Sequence, residues 1–524
     1  MDNYTNRITL ICKPEQSGKT FVMIQQIIND LRDPSLTRTV INIILCDNNL
    51  LLTKQTSERV GRDLSPFIEV NGQTYLEFSS HARTEYRSAV AVEGAISVLD
   101  IHNILCCTNG TRVEDIYTII SDLNKSELHK DKFIFKIWLD EADKFTSFID
   151  NTFGPLVEEY TNVELYCITA TAAKLFKRYG SFNVFPLENT TTDYYHGWLD
   201  NEFRFVDSSA TCVSFAEHVL DNMGKDHIQP GTKWYIPAEH KKVTHRGIKD
   251  VCIKRGFAVI IVNGEGIKLF LPNGEMVPYK KDDELNTIIK KAYREHELKC
   301  YPLAITGNVC IGRGISIMSE DFMMDYGILS SCHNQQEASQ NSGRLKGNIK
   351  SWDTYKPPTV FTTETFWEVA RNWEIKSRGL ARLAYDKEQQ GKSTIITKNE
   401  YRTVGEDFDY VVHDELFKSY TKAKDFLKTK KRKMKASVTG SVEGAIHKVD
   451  GYYLSTKVTP PGKKKNDLIA EDRFTLERVY RIGASTCISS TDKGSRYLIL
   501  PVYESMDSPP KSVQFQVRYI SFKE

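Results

Sequence analysis

Phe133-Ile134-Phe135-Lys136-Ile137-Trp138-Leu139, followed by Asp140-Glu141-Ala142-Asp143, decides the fold. The first seven residues are an apolar run of strand length, which predicts a buried strand. Two adjacent carboxylates at the end of such a strand suit a nucleotide site. One can hold Mg²⁺ through water, and the other can orient the water that attacks a γ-phosphate. Working outward, Gln16-Ser17-Gly18-Lys19-Thr20 lies far upstream and reads as the second half of a phosphate-binding loop. Gly312-Arg313-Gly314 and Gln340-Asn341-Ser342-Gly343-Arg344 lie far downstream.

The chain between these landmarks alternates. Residues 7–12 form a short apolar strand that runs into the loop, and Phe21, Ile24, Ile27, Ile28 and Leu31 follow at helical spacing. Asp33-Pro34-Ser35 closes that helix, and residues 39–46 form the next strand. Strand, loop, helix, strand begins an α/β unit with a parallel sheet. Residues 103–107, 133–139 and 163–169 continue the series, giving one doubly wound domain over residues 1–200. A second α/β series covers 201–355, with strands at 233–236, 257–262, 303–305 and 326–330 and a helix at 283–296. Pro357-Pro358 marks a boundary. Residues 356–524 form an accessory α+β part: a helix at 366–389, a very basic helix at 416–435 and short β segments from Val449 onward.

Composition sets bounds. With 524 residues the chain has room for two to four domains of roughly 150 residues each. Its 40% hydrophobic and 26% charged residues are those of an ordinary globular protein. No apolar run approaches the roughly 18 residues of a membrane helix, and Met1-Asp2-Asn3-Tyr4-Thr5 does not begin a secretory signal. An intracellular, reducing compartment is expected, cytoplasm or nucleus, and no membrane partner. The formal net charge of +2 means that any nucleic-acid surface must be local. The eleven cysteines include no CxxC pair, and Cys46, Cys106 and Cys167 lie in apolar runs. They read as small buried side chains and not as disulfides or zinc ligands.

The loop has a direct chemical reading. Backbone N–H groups at a helix N-terminus bind phosphates, because unpaired donors and the helix dipole favour anions there. Lys19 would reach the β- and γ-phosphates, and the Thr20 hydroxyl would ligate Mg²⁺. Gln16, Ser17 and Gly18 complete the cradle. The full motif has Gly where this chain has Lys13, and often a second small residue where it has Gln16. Thr169-Ala170-Thr171 ends the next strand, where small hydroxyl residues can link the carboxylate site to a second domain; an N-capping threonine is the plainer alternative. Arg313 and Arg344 would bring cations across a domain interface to the γ-phosphate, on turns that Gly312, Gly314 and Gly343 permit.

Together these elements resemble a superfamily 2 helicase over residues 7 to 350. The likeness implies two tandem RecA-like domains that sandwich ATP, with nucleic acid lying across both. Lys19 and Thr20 match its motif I, and Asp140 and Glu141 the Mg²⁺-binding and catalytic carboxylates of motif II. Thr169 and Thr171 match the coupling residues of motif III. Gly312, Arg313 and Gly314 match motif V. Gln340, Gly343 and Arg344 match motif VI, with Arg344 as the arginine finger. More loosely, Asn48-Asn49 with Thr53-Lys54-Gln55, and Thr108-Asn109 with Arg112, stand where such proteins contact the nucleic-acid backbone.

There are departures. Gly347 occupies the position of a second motif VI arginine, which leaves Lys346 or Lys350 as substitutes. The loop begins too near the first residue for an adenine-reading Gln motif, and Gln340-Asn341 replaces the His-Arg of DEAD-box proteins. The overall look resembles the divergent helicases of large DNA viruses and phages.

Nine Lys and Arg side chains fall between Lys418 and Lys435, among them Lys424, Lys428 and Lys431, with Phe417, Tyr420 and Phe426 interleaved. Such a strip would neutralise phosphates, and its aromatics could stack on bases. The alternatives are a solvated helix face with inward-packed aromatics, or an import signal at 430–433. The expectation is an ATP- and Mg²⁺-dependent helicase or translocase, on DNA in preference to RNA, with replication or transcription proteins as partners. Two other readings stay open: a nucleic-acid-binding ATPase switch without unwinding, and a DNA packaging or restriction motor.

Overall fold

The computed structural model describes residues 7–48, 50–67, 75–79, 86–98, 101–239, 241–280, 285–307, 317–330, 335–405 and 408–429. Beyond them it describes only 438–439, 446–449, 452–455, 497–504, 512 and 514–522. The chain divides into two compact units, Met1–Ile396 and Thr397–Glu524.

The first unit contains two eight-stranded sheets. One is built from β1 (Ile8–Cys12), β2 (Thr39–Cys46), β3 (Leu76–Phe78), β4 (Asn103–Cys107), β5 (Phe133–Asp140), β6 (Val163–Thr169) and β7 (Ser181–Val184), with β18 (Ile395–Thr397) at one edge. The order is β18-β7-β1-β6-β5-β2-β4-β3. The pairings among β1 to β7 are all parallel. The expected strand β5 lies at the centre, and its apolar side chains are buried because helices cover both faces of the sheet. The helix Lys19–Arg32 packs Ile24, Ile27 and Ile28 against Ile11, Ile44 and Trp138. Trp138 stacks on Tyr166 at 4.1 Å and donates to Asn42 Oδ1 at 2.9 Å. Asn42 in turn donates to Asn103 at 3.1 Å, so the buried amides are satisfied across three strands.

The second sheet uses β9 (Glu202–Phe205), β10 (Lys233–Tyr235), β11 (Ala258–Asn263), β12 (Gly266–Phe270), β13 (Met276–Tyr279), β14 (Leu303–Gly307), β15 (Tyr326–Leu329) and β17 (Thr359–Thr362). Its order is β13-β12-β11-β14-β10-β15-β17-β9. Six strands run parallel, and β12 and β13 extend the edge as antiparallel strands. Helices Cys212–Asp221 and Lys242–Ile253 cover one face with Phe215, Val219 and Ile248. The helix Leu285–Glu295 covers the other with Ile288 and Ile289.

The fold is therefore the expected one, two tandem RecA-like α/β domains. The sheet continues to β17 beyond Pro357-Pro358, because the prolines occupy the loop and not the strand. A 26-residue helix, Glu364–Gln389, then runs along both domains. Phe366 and Ala370 pack into the second core, and the Ala381 carbonyl accepts from Leu187 N–H at 3.2 Å on the first domain.

In the second unit β19 (Phe408–Val412), β21 (Ile446–Val449), β22 (Tyr452–Ser455), β23 (Tyr497–Tyr503) and β24 (Gln514–Phe522) form an antiparallel sheet, ordered β19-β24-β23-β22-β21. β20 (Val438–Thr439) joins β23 in parallel. The basic helix spans Tyr420–Thr429. Phe426 packs on His413 and Phe417, with centroids 4.3 and 5.2 Å away, so these aromatics turn inward. No helix among the described residues is long and apolar enough to cross a membrane.

Candidate nucleotide site

The carboxyl ends of the parallel strands in the first sheet carry the candidate residues. β1 runs into the loop 13–18, β2 into Asp47 and Asn48, β4 into Thr108, β5 ends on Asp140, and β6 ends on Thr169. Open α/β sheets bind ligands at this edge.

The loop turns through two left-handed residues, Gln16 at φ 57° and Gly18 at φ 91°. Glycine suits that region, which explains why a small residue is usual at the position Gln16 holds. Gly18 precedes the helix Lys19–Arg32, whose N-terminus has no side-chain cap. The Ser17 hydroxyl donates to Pro14 O at 2.8 Å and holds the turn shut. Lys13 is buried, and its ammonium is depressed to about 8 by that burial and by the neighbouring charge of Lys19.

A cavity of about 290 Å³ opens at the loop. Lys19, Thr20, Asp140, Glu141, Gln340 and Arg344 all line it, so the structure gathers the anticipated residues of three separated motifs in one place. Gln16, Gly18 and Thr171 line it too. Phe21, Ile24, Thr56, Arg59, Arg62 and Asp63 line it as well; the sequence marks Phe21 and Ile24 only by their helical spacing and the other four not at all. Phe21 is 59% exposed.

Burial raises the Asp140 carboxyl above its ordinary range; Lys19 lowers it, and Asp47 and Asp143 raise it further. Asp140 Oδ1 accepts the N–H of Glu141 at 3.0 Å. Glu141 is buried at φ 52°, a conformation that costs a non-glycine residue on the order of 1–3 kcal/mol and is typical of functional turns. Asp140 and the Thr20 hydroxyl line the same cavity and are hard oxygen donors of the kind Mg²⁺ takes, while no group of three or more His, Cys, Asp or Glu among the described residues is placed to hold a metal without further ligands.

Asp143, quoted in the tetrapeptide but given no role, is fully buried. It accepts from the Thr169 hydroxyl at 2.7 Å and the Thr171 hydroxyl at 3.1 Å. The two threonines thus bind the carboxylate turn directly. Lys144 reaches both oxygens of the buried Asp47, at 2.5 and 2.7 Å, joining that turn to the end of β2.

Arg344 sits in the turn Gly343–Leu345 after the helix Gln335–Ser342. It is buried, and burial depresses its guanidinium against the opposing influence of Tyr235, Glu141 and Glu15. Gly343 is needed for close approach, since a Cβ there would lie 2.7 Å from that of Glu15. The strand β16 (Gly347–Asn348) pairs with β8 (Tyr195–His196), and the Tyr195 hydroxyl donates to Glu15 O at 2.8 Å. The two lysines named as substitutes for a second arginine both pair with carboxylates. Lys346 pairs with Glu15 and Glu374, and Lys350 with Asp200 at 3.0 Å.

The loosely matched nucleic-acid residues vary. Asn48 is exposed, whereas Gln55, Thr108 and Arg112 are buried. Thr108 Oγ1 donates to Cys46 O at 2.7 Å. Arg112 lies over the Phe78 ring and bonds Arg87 O at 3.0 Å and Asp115 at 2.8 Å. Asn109 caps the following helix. Gly312, Arg313, Gly314 and Lys431 lie outside the described residues. Lys424 and Lys428 lie on the helix Tyr420–Thr429. The described cysteines form no disulfide, and six are buried.

No family model and no curated protein matches the chain. Among solved structures it is similar to DEAD-box helicase Mss116 bound to ssRNA and UDP-BeF, at 12% identity and TM-score 0.41, covering 76% of this chain and 82% of that one. It is also similar to Mycobacterium smegmatis helicase Lhr bound to ssDNA and AMP-PNP, at 11% identity and TM-score 0.38, covering 75% of this chain and 47% of Lhr.

Proposed function

We propose that this chain is an ATP-dependent helicase or translocase that acts on nucleic acid, with DNA the favoured polymer. One observation carries the reading. The phosphate-loop residues Lys19 and Thr20, the carboxylates Asp140 and Glu141, and Arg344 from the other domain line one cavity. ATP would place its phosphates on the N-terminus of the helix Lys19–Arg32, where backbone donors and Lys19 offset their charge. Its base and ribose would lie toward Phe21, Arg59 and Arg62. Thr20 and Asp140 would hold the accompanying Mg²⁺, which screens the phosphate charge. Glu141 would orient the attacking water, and Arg344 would stabilise the charge that develops in transfer. Since Thr169 and Thr171 grip Asp143, the state of the carboxylate turn would pass along β6. Asn48 and the basic helix Tyr420–Thr429 are the proposed polymer contacts. A slower ATPase switch is the second reading, favoured by the pairing of Lys346 with Glu15 and Glu374 and of Lys350 with Asp200, since neither lysine lines the cavity.

Glu141→Gln tests the assignment. ATP binding should persist while turnover falls by at least ~100-fold. Hydrolysis at the wild-type rate would remove Glu141 from the mechanism.

A further inference from the structure

A buried set of charges joins the phosphate loop to the second domain, and the nucleotide reading does not use it. Lys346 is fully buried. Its ammonium lies 3.2 Å from Glu15 Oε2 and 3.2 Å from Glu374 Oε2. The other Glu15 oxygen takes the Ser339 hydroxyl. Glu374 also takes the Trp198 N–H at 2.8 Å and Arg378 at 2.7 Å. Three segments meet at this one cation: the loop beside the phosphates, the turn that carries Arg344, and the long helix Glu364–Gln389. A carboxylate inside an anion-binding loop opposes its ligand unless its charge is cancelled. Lys346 supplies that cancellation from the opposite domain.

We propose that Lys346 is a positioning residue: by pairing with Glu15 and Glu374 it neutralises the loop carboxylate and holds the Arg344 turn against the phosphate loop. The role rests on the ATP-site reading for its consequence, but the clamp itself is a property of the protein alone. Removing one partner of a buried pair leaves an uncompensated charge, which costs far more than the pair contributes. Lys346→Met should therefore loosen the seam and set the Glu15 charge against bound phosphate.

The full-length chain, Lys346→Met, Glu15→Gln and the double variant would be compared by hydrogen exchange and by binding of a fluorescent ATP analogue. In Lys346→Met, exchange should rise about tenfold or more at residues 13–20 and 339–346, with the strand Ala258–Asn263 unchanged. Nucleotide affinity should fall about tenfold, and adding Glu15→Gln should recover most of it. Seam exchange within about twofold of wild type would overturn the clamp, whether or not the protein binds nucleotide. A lost affinity that Glu15→Gln does not recover would make Lys346 merely structural and would also overturn the proposal. If wild type binds no nucleotide, the ATP-site reading falls, and the exchange data still decide the clamp. If Lys346→Met does not fold, Lys346→Gln, which keeps an uncharged donor between Glu15 and Glu374, is compared with wild type by the same two readouts, with the same outcomes expected and excluded.

Discussion

At the residue scale the site combines short motifs with residues from distant parts of the chain. Lys19, Thr20, Asp140, Glu141 and Arg344, which line one cavity, were singled out in the sequence because each proposed role needs one residue type beside a strand end or a turn. Glu15 was not, although a carboxylate within an anion-binding loop is a hint that a cation must face it. Its partner Lys346 lies 331 residues away, so no local pattern connects them. Lys13 gives a pH prediction. Burial, then Lys19, lowers its ammonium from 10.5 to about 8. The folded state releases that proton earlier than the unfolded chain, so the unfolded chain binds more protons between about 8 and 10.5, and stability rises with pH there. Below about 8 the charged ammonium costs its full amount. Urea unfolding of wild type and Lys13→Met should show the stability difference shifting toward wild type by a few kcal/mol across that window. A difference independent of pH would mean that Lys13 is not strained by its charge.

At the element scale the alternation of strand and helix was readable because the strands of a covered parallel sheet are continuous apolar runs. Strands β2, β4 and β6 fall within the expected limits. Short or partly polar strands escaped notice: β3, β7, β9 and β17 have three or four residues each. Strands β12 and β13, which extend β11 into a meander, were also missed, although Asn263-Gly264 and Asn273-Gly274 are hairpin dipeptides. The aromatics of the basic helix show the limit of spacing arguments, since stacking on bases and packing inward share one pattern. The bond between β6 and the carboxylate turn yields a prediction at this scale. Thr169→Ala leaves the buried Asp143 carboxylate short of a donor and should cost about 1–3 kcal/mol, while Thr169→Ser keeps most of that bond. On the proposed function, the alanine variant should lose polymer stimulation more than basal ATPase. Equal stability of the alanine and serine variants would show that the bond carries no load.

At the scale of the whole molecule, two parallel-sheet domains bring residues more than 300 positions apart to a single cavity. The proposed function rests on that convergence. The alternation of strand and helix behind both sheets was visible in the sequence because each sheet repeats the same pattern of apolar runs. The long helix Glu364–Gln389 reads in sequence as the start of an accessory part, yet it packs along both domains, since amphipathic periodicity reports that a face is buried and not what covers it. The most direct test of the central claim is the steady-state ATPase rate of the full chain, alone and with single-stranded DNA, duplex DNA or RNA, beside Lys19→Ala. Hydrolysis should be stimulated several-fold by at least one polymer and abolished by Lys19→Ala. Absence of hydrolysis with every polymer, or an undiminished rate in Lys19→Ala, would contradict that claim.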